Sequence, residues 1–220
     1  MNLLGIDTSS TSTVLGLLQG DTVIDRTVRD VRTHSREILP AIADLLANAK
    51  LALGDIDAIV FGQGPGSFTG LRIAVGVVQG LAYGAGLAVV PVSSMAVLAQ
   101  ASKSHDGPVF VALSARLEEI YYGCYQLENG FAVASALEGV RDVSELEAVS
   151  TGDWQLITDI PILQEKIATS LGVQFSSVST DTLPRVDHLL ALGKHRLEAG
   201  YSVSALDASP VYLREQVANP

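Results

Sequence analysis

Short unbroken apolar runs alternate along this chain with stretches of helical periodicity. Leu3–Ile6 is an apolar run closed by the polar Asp7-Thr8-Ser9-Ser10, and it reads as a buried strand. Thr13–Gln19 and Thr22–Val28 resume extended character around the turn Gln19-Gly20-Asp21. Ser35–Ala49 changes period: Ile38, Leu39, Ile42, Leu45, Leu46 and Ala49 form one helical stripe, with Pro40 expected to bend it. A strand at Ala58–Phe61 and a helix at 70–84 follow, then a strand at Ala88–Val92. Ser93 or Ser94 is placed to cap a helix running to about Ala101. The turn-rich stretch Lys103–Pro108 predicts a domain boundary, giving residues 1–103 and 104–220. Beyond it the pattern predicts strands at Val109–Ala115, Glu119–Gln126 and Phe131–Ala134, then a short helix near Val143–Val149. A strand at Trp154–Thr158, a helix at Pro161–Leu171, a strand at Val173–Val178 and a last helix at Leu183–Ala199 complete it. Both halves thus read as α/β units of β-β-β-α-β-α order.

The segment between the strand at 58–61 and the helix at 70–84 is Gly62-Gln63-Gly64-Pro65-Gly66-Ser67-Phe68-Thr69-Gly70-Leu71-Arg72. A strand, a glycine-rich turn and a helix N-terminus is an anion-holding geometry, because free N–H groups and the helix dipole point the same way. The familiar phosphate patterns nevertheless fail. No lysine lies in the loop, and a G-x-G-x-x-G frame meets Ser67 or Thr69 at its last position. A nucleophile elbow around Ser67 would need glycine where Pro65 stands. Ser67 or Thr69 is better read as a helix N-cap.

Composition narrows the function classes. Net charge is −10 over 220 residues, so the surface repels polyphosphate on average and direct nucleic-acid binding is disfavoured. The chain has no 18-residue apolar run and no basic leader, which predicts a cytoplasmic protein without membrane contact. Cys124 is the single cysteine and reads as a packed strand residue. The histidines, His34, His105, His188 and His195, include no pair three or four apart, so no metal site is expected; His188 and His195 read as solvated helix residues. Asp7 is the one candidate catalytic carboxylate. A weak nucleotide-binding set would combine Asp7, Thr8 and Ser9 with Gly64, Gly66 and Ser67, although the turn after Asp7 lacks the glycine that phosphate approach favours. An Asx-turn closing the strand is the competing reading of Asp7.

Two halves of this order resemble the actin, Hsp70 and sugar-kinase (ASKHA) architecture. More specifically, the chain resembles the bacterial TsaB family, also called YeaZ. The likeness rests on Leu3-Leu4-Gly5-Ile6-Asp7-Thr8, His34-Ser35-Arg36-Glu37-Ile38-Leu39-Pro40, the Gly62–Arg72 loop, Ala115-Arg116 and Pro210-Val211-Tyr212-Leu213-Arg214. One departure is Ser114, where the family usually has Asp. The resemblance implies a non-catalytic subunit in the synthesis of threonylcarbamoyladenosine in tRNA, next to the anticodon. It implies pairing with a catalytic paralog, TsaD, and a small ATPase, TsaE, with tRNA met only through the complex. It implies no cofactor of the chain's own. The rival readings are a sugar-kinase-type phosphotransferase or ATPase and, further off, a glycopeptidase-like protease.

Gly76, Gly80 and Gly84 recur every four residues inside a predicted helix and so share one face. Each costs a helix interior roughly 0.8–1 kcal/mol against alanine. Small residues at this spacing let helix backbones approach closely. The approach could be to the chain's own sheet or helix, or to another molecule. The resemblance favours a partner interface built from Ile38, Leu39, Ile42, Leu45, Leu46, Ile73, Gly76, Val77, Gly80 and Gly84. The same surface would form a homodimer when the chain is alone.

Overall fold

The computed structural model describes residues 1–28, 34–102, 107–116 and 119–213. The first unit contains β1 (Asn2–Asp7), β2 (Val14–Gln19), β3 (Thr22–Asp25), α1 (His34–Asn48), β4 (Ala58–Gly62), α2 (Phe68–Ala85) and β5 (Ala88–Val92). Its sheet runs β3-β2-β1-β4-β5, antiparallel across β3-β2-β1 and parallel across β1-β4-β5. Strands β1, β2 and β4 are buried on both faces, which is why they read as continuous apolar runs rather than as an alternation.

The short helix α3 (Ser94–Ala99) leads into the second unit. There follow β6 (Val109–Arg116), β7 (Glu119–Glu128), β8 (Phe131–Ala134), β9 (Gly139–Asp142), β10 (Trp154–Thr158), α4 (Gln164–Leu171) and β11 (Phe175–Ser179). The second sheet runs β11-β10-β6-β7-β8, and β9 adds to β7. Reading it as β8-β7-β6-β10-β11 gives the same order and the same sense of pairing as the first sheet. Its core gathers Phe110, Ala112, Ile120, Trp154 and Leu156 with Ile167 and Leu171 of α4.

The last helix, α5 (Val186–Glu198), corrects the expected division at residue 103/104. The compact units are Met1–Ser94 with Pro184–Val211, and Met95–Leu183 with Tyr212 and Leu213 among the described residues. The predicted boundary residues 103–106 lie outside the described residues. Helix α5 belongs to the first unit because it covers the sheet face opposite α1 and α2. Glycines make that contact close: a methyl group at Gly5 would stand 3.1 Å from Leu190, one at Gly16 2.6 Å from Val186, and one at Gly193 2.3 Å from Val60.

Three local expectations also change. The second unit is not a plain β-β-β-α-β-α, because β9 is an extra strand and α5 has left for the first unit. The helix expected over 143–149 is a single 3-10 turn at Val143–Glu145, capped by the Asp142 carboxylate accepting from the Ser144 N–H. The helix expected over 161–171 starts as a 3-10 turn at Pro161–Leu163 and becomes α-helical from Gln164.

Gly193→Ala tests the packing of α5. Alanine gains about 1 kcal/mol of helix propensity, but overpacking against a buried β-branched side chain costs about 1–3 kcal/mol. The expected net result is a loss of stability of up to about 2 kcal/mol, read from the urea midpoint; a stabilised variant would show that α5 is free to move off the sheet.

Candidate functional site

The candidate nucleotide residues do come together, but they close on one another. Asp7 ends β1 and is only 1% exposed. Its Oδ1 accepts the Ser9 N–H at 2.7 Å, the Asx-turn geometry, and its Oδ2 accepts the Ser94 hydroxyl at 3.0 Å. A methyl group at Gly62 would stand 2.1 Å from the carboxylate. Burial pushes the Asp7 carboxyl above its ordinary 3.8, while the hydrogen bonds from Ser9 and Ser94 pull in the opposite direction.

Thr8 is fully buried and donates its hydroxyl to the Gly70 carbonyl at 2.6 Å. The Ser9 carbonyl accepts the Ser67 N–H at 2.7 Å. Gly66 and Gly70 have no room for side chains, since a methyl group would meet the Ser9 carbonyl oxygen at 2.3 Å and the Thr8 carbonyl oxygen at 1.8 Å. Gly64 takes φ +102, a conformation that favours glycine. Ser67 is the N-cap of α2, its hydroxyl accepting the Gly70 N–H at 3.2 Å. The glycines of this loop thus admit the chain's own turn, and a cation at Asp7 would have to displace two hydrogen bonds. Ser94 is the residue whose tie to Asp7 the sequence reading missed. It starts α3, and its hydroxyl is turned to Asp7 and to the Gly64 N–H. The only signal was a Ser-Ser pair after a strand, which reads equally well as a helix cap.

The other candidate residues fall into place singly. His195 is exposed, but His188 is buried in α5, which corrects its reading as solvated. His105 and the His34 side chain lie outside the described residues. Among the described residues no group of three His, Cys, Asp or Glu side chains is placed to hold a metal ion. Cys124 is half-buried on β7 against the second core, and burial pushes its thiol up, away from the reactive thiolate. Ser114, at the end of β6, gives its N–H to the Asp159 carboxylate at 2.8 Å.

The helical face divides the expected interface residues. Ile38, Ile42, Leu45 and Leu46 sit in the chain's own core, against β1, β2 and β4. Their assignment to a partner interface is therefore corrected. An amphipathic stripe buries against whatever lies nearest, and the nearest surface is this sheet. Leu39 is 52% exposed, at the edge of that face about 100° around α1 from Ile38. On α2 the inner face is Gly70, Leu71, Ala74, Val78 and Ala82. Ile73 and Val77 are half-buried along its flank. Gly76, Gly80 and Gly84 lie roughly 200° around the helix from Ala74, Val78 and Ala82. All three are exposed, and a methyl group at any of them would meet nothing within 4 Å among the described residues. Among those residues the glycines do not serve packing within the first unit. Phe68 and Arg72 extend the same four-residue series toward the N-terminus, with the guanidinium 3.6 Å over the Phe68 ring centroid. Tyr83, beside Gly84, is 72% exposed.

A family model described as TsaD, tRNA N6-adenosine threonylcarbamoyltransferase, matches residues 29–214. The tRNA threonylcarbamoyladenosine biosynthesis protein TsaB of Haemophilus influenzae is 33% identical over 99% of this chain and 95% of its own length. Its Escherichia coli counterpart is 34% identical over 99% of this chain and 96% of its own length. The chain belongs to the TsaB (YeaZ) family. The solved structure of YeaZ from Pseudomonas aeruginosa matches with a TM-score of 0.88 at 34% identity, covering 96% of this chain and 99% of that one. The fold is accordingly of the ASKHA type, with the repeated strand order described above. Within this TsaB-family chain the two features that stand out are the closed turn around Asp7 and the open glycine ridge of α2.

Two measurements follow from these features. An unfolded Asp7 ionises around 3.8 and the folded one at higher pH, so unfolding releases a proton across that window and stability falls as pH rises. Stability of the native chain relative to Asp7→Asn should therefore decline from pH 3.8 upward and level off once the folded carboxyl has ionised. Parallel urea profiles for the two proteins would contradict this. For the ridge, Gly80→Ala in the isolated chain should raise stability by roughly 0.8–1 kcal/mol, since nothing stands in the way of the added methyl; a lowered urea midpoint would mean that the ridge packs internally.

Proposed function

We propose that this chain is a non-catalytic subunit in the biosynthesis of threonylcarbamoyladenosine in tRNA, acting by binding and supporting a catalytic TsaD-like paralog. TsaB proteins that match it over nearly their whole length carry that biosynthetic name. The observation that carries the subunit role is the glycine ridge: three helix-weakening residues within α2, exposed, where an added methyl group would meet nothing within 4 Å among the described residues. Such a ridge suits the close approach of another helix, and Leu39, Phe68 and Tyr83 supply exposed apolar surface on the same two helices.

A catalytic role of its own has little to draw on. Asp7 is enclosed by Ser9, Ser94 and Gly62, which weighs against the phosphotransferase reading. The histidine spacing weighs against the metallopeptidase reading. A net charge of −10 favours tRNA contact through the complex rather than through this chain. The remaining parts of the proposal are a cytoplasmic setting, a TsaE-like ATPase in the same assembly, and a two-fold homodimer through α2 when the paralog is absent. No helix among the described residues is long and apolar enough to cross a membrane.

Light scattering on a sizing column tests the proposal. The chain alone should elute as a homodimer, and adding the TsaD-like paralog of the same cell should convert it to a heterodimer. Gly80→Leu should weaken both species at least tenfold while leaving the monomer folded, because its side chain occupies the approach surface. A folded monomer indifferent to the paralog would sink the proposal and return attention to Mg-nucleotide titration.

A further inference from the structure

We propose that Asp7, Thr8 and Ser94 are positioning residues for α2: the turn after β1 clamps the glycine loop and the first turn of the helix, and so fixes where the glycine ridge stands. This rests on reading the ridge as the partner face.

The clamp grips the loop at both ends. At the start, Ser94 and Gly64 exchange two hydrogen bonds: the Ser94 N–H donates to the Gly64 carbonyl at 2.9 Å, and the Gly64 N–H donates to the Ser94 hydroxyl oxygen at 3.2 Å. That hydroxyl in turn donates to Asp7, whose other oxygen holds the Ser9 N–H. At the far end, the Ser67 N–H donates to the Ser9 carbonyl, and the Thr8 hydroxyl donates to the carbonyl of Gly70, already inside α2. The groups on the β1 side belong to Asp7, the last residue of a strand buried from Leu3 onward, and to the buried Thr8 and Ser9 that follow it, so the anchor itself is rigid. The contacts also leave no slack, because a methyl at Gly62, Gly66 or Gly70 would overlap Asp7, Ser9 or Thr8. The outward ridge begins within this clamped turn, at Phe68 and Arg72, and continues through the glycines. A turn that in its general form would hold an anion here holds a helix N-terminus in place.

The test uses the full chain and three variants. Thr8→Val keeps shape and removes the hydroxyl; Thr8→Ser restores it; Ser94→Ala removes the link between Asp7 and Gly64. Amide exchange is followed over residues 64–72 and compared with 78–85 and with the sheet, and affinity for the TsaD-like paralog is titrated in parallel. Loss of one buried hydrogen bond should speed exchange in 64–72 by about five- to tenfold beyond any global change. Thr8→Val and Ser94→Ala should both weaken paralog binding several-fold, and Thr8→Ser should recover both readouts. Exchange that rises only in step with the sheet overturns the proposal, since the three residues would then be ordinary core groups. Unchanged paralog affinity beside a loosened loop overturns it as well, provided Gly80→Leu abolishes binding in the same assay. If Gly80→Leu binds normally, the partner reading itself has failed, and the exchange data alone decide whether the turn clamps α2.

Discussion

The contact between the turn after β1 and the glycine loop after β4 is the constraint on which the first unit depends. The two segments follow neighbouring parallel strands and meet at distances that exclude any side chain at Gly62, where the Asp7 carboxylate stands, and at Gly66 and Gly70, where the backbones of Ser9 and Thr8 stand. Hydrogen bonds then use the space the glycines leave: Thr8 donates to Gly70, Ser67 to Ser9, and both Ser9 and Ser94 to the Asp7 carboxylate. Because the loop is the start of α2, this contact decides how that helix lies on the sheet. With its inner face set by Leu71, Ala74, Val78 and Ala82, the outward face follows automatically. The glycine loop and the glycine ridge are thus one arrangement, tight on the inside and open on the outside.

The two units show how one strand order supports different ends. Each sheet places two parallel strands beside an antiparallel three-stranded meander. In the first unit the central strand ends in the enclosed Asp7; in the second, β6 passes through Ser114, whose N–H is satisfied by Asp159, the residue after the neighbouring strand β10. A carboxylate is present in both cases, but only the first is sealed. The difference matches the covering of the sheets: the first unit has helices on both faces, the third supplied by α5 from late in the chain. Glycines at 5, 16 and 193 permit that helix to lie close, so the back face of β1, β2 and β4 excludes water as well as the front.

Much of this was legible in the sequence, and what was not has identifiable causes. The strands at 58–62, 88–92 and 154–158 stood out because continuous apolar runs bounded by turn residues have few other readings. The Ser67 cap and the Asx-turn at Asp7 were readable because both are local hydrogen-bonding habits of their residue types. By contrast, the stripe Ile38–Leu46 gave the right helix and the wrong partner. A helical period records that one face is covered, and carries no information on what covers it. The glycines of α2 posed the same ambiguity, and the position of Ala74, Val78 and Ala82 places them on the face of the helix that the sheet does not cover. Ser94 and β9 were missed for a further reason: a tertiary hydrogen bond and a four-residue strand leave no periodic trace.

Energetics distinguish the two sets of glycines in α2. Gly70 has a steric cause inside the chain, since alanine there would collide with the Thr8 carbonyl. Gly76, Gly80 and Gly84 have none, and together they weaken the helix by roughly 2–3 kcal/mol relative to alanine. That is a considerable part of the 5–15 kcal/mol by which domains are typically stable. Among the described residues internal packing offers no compensation, because nothing lies within 4 Å of where a side chain would begin at these positions. A second helix brought to backbone contact would compensate, and it would do so only in the assembled state. On this view the isolated chain is less stable than its sequence could make it, and the deficit is localised on the surface where association would remove it.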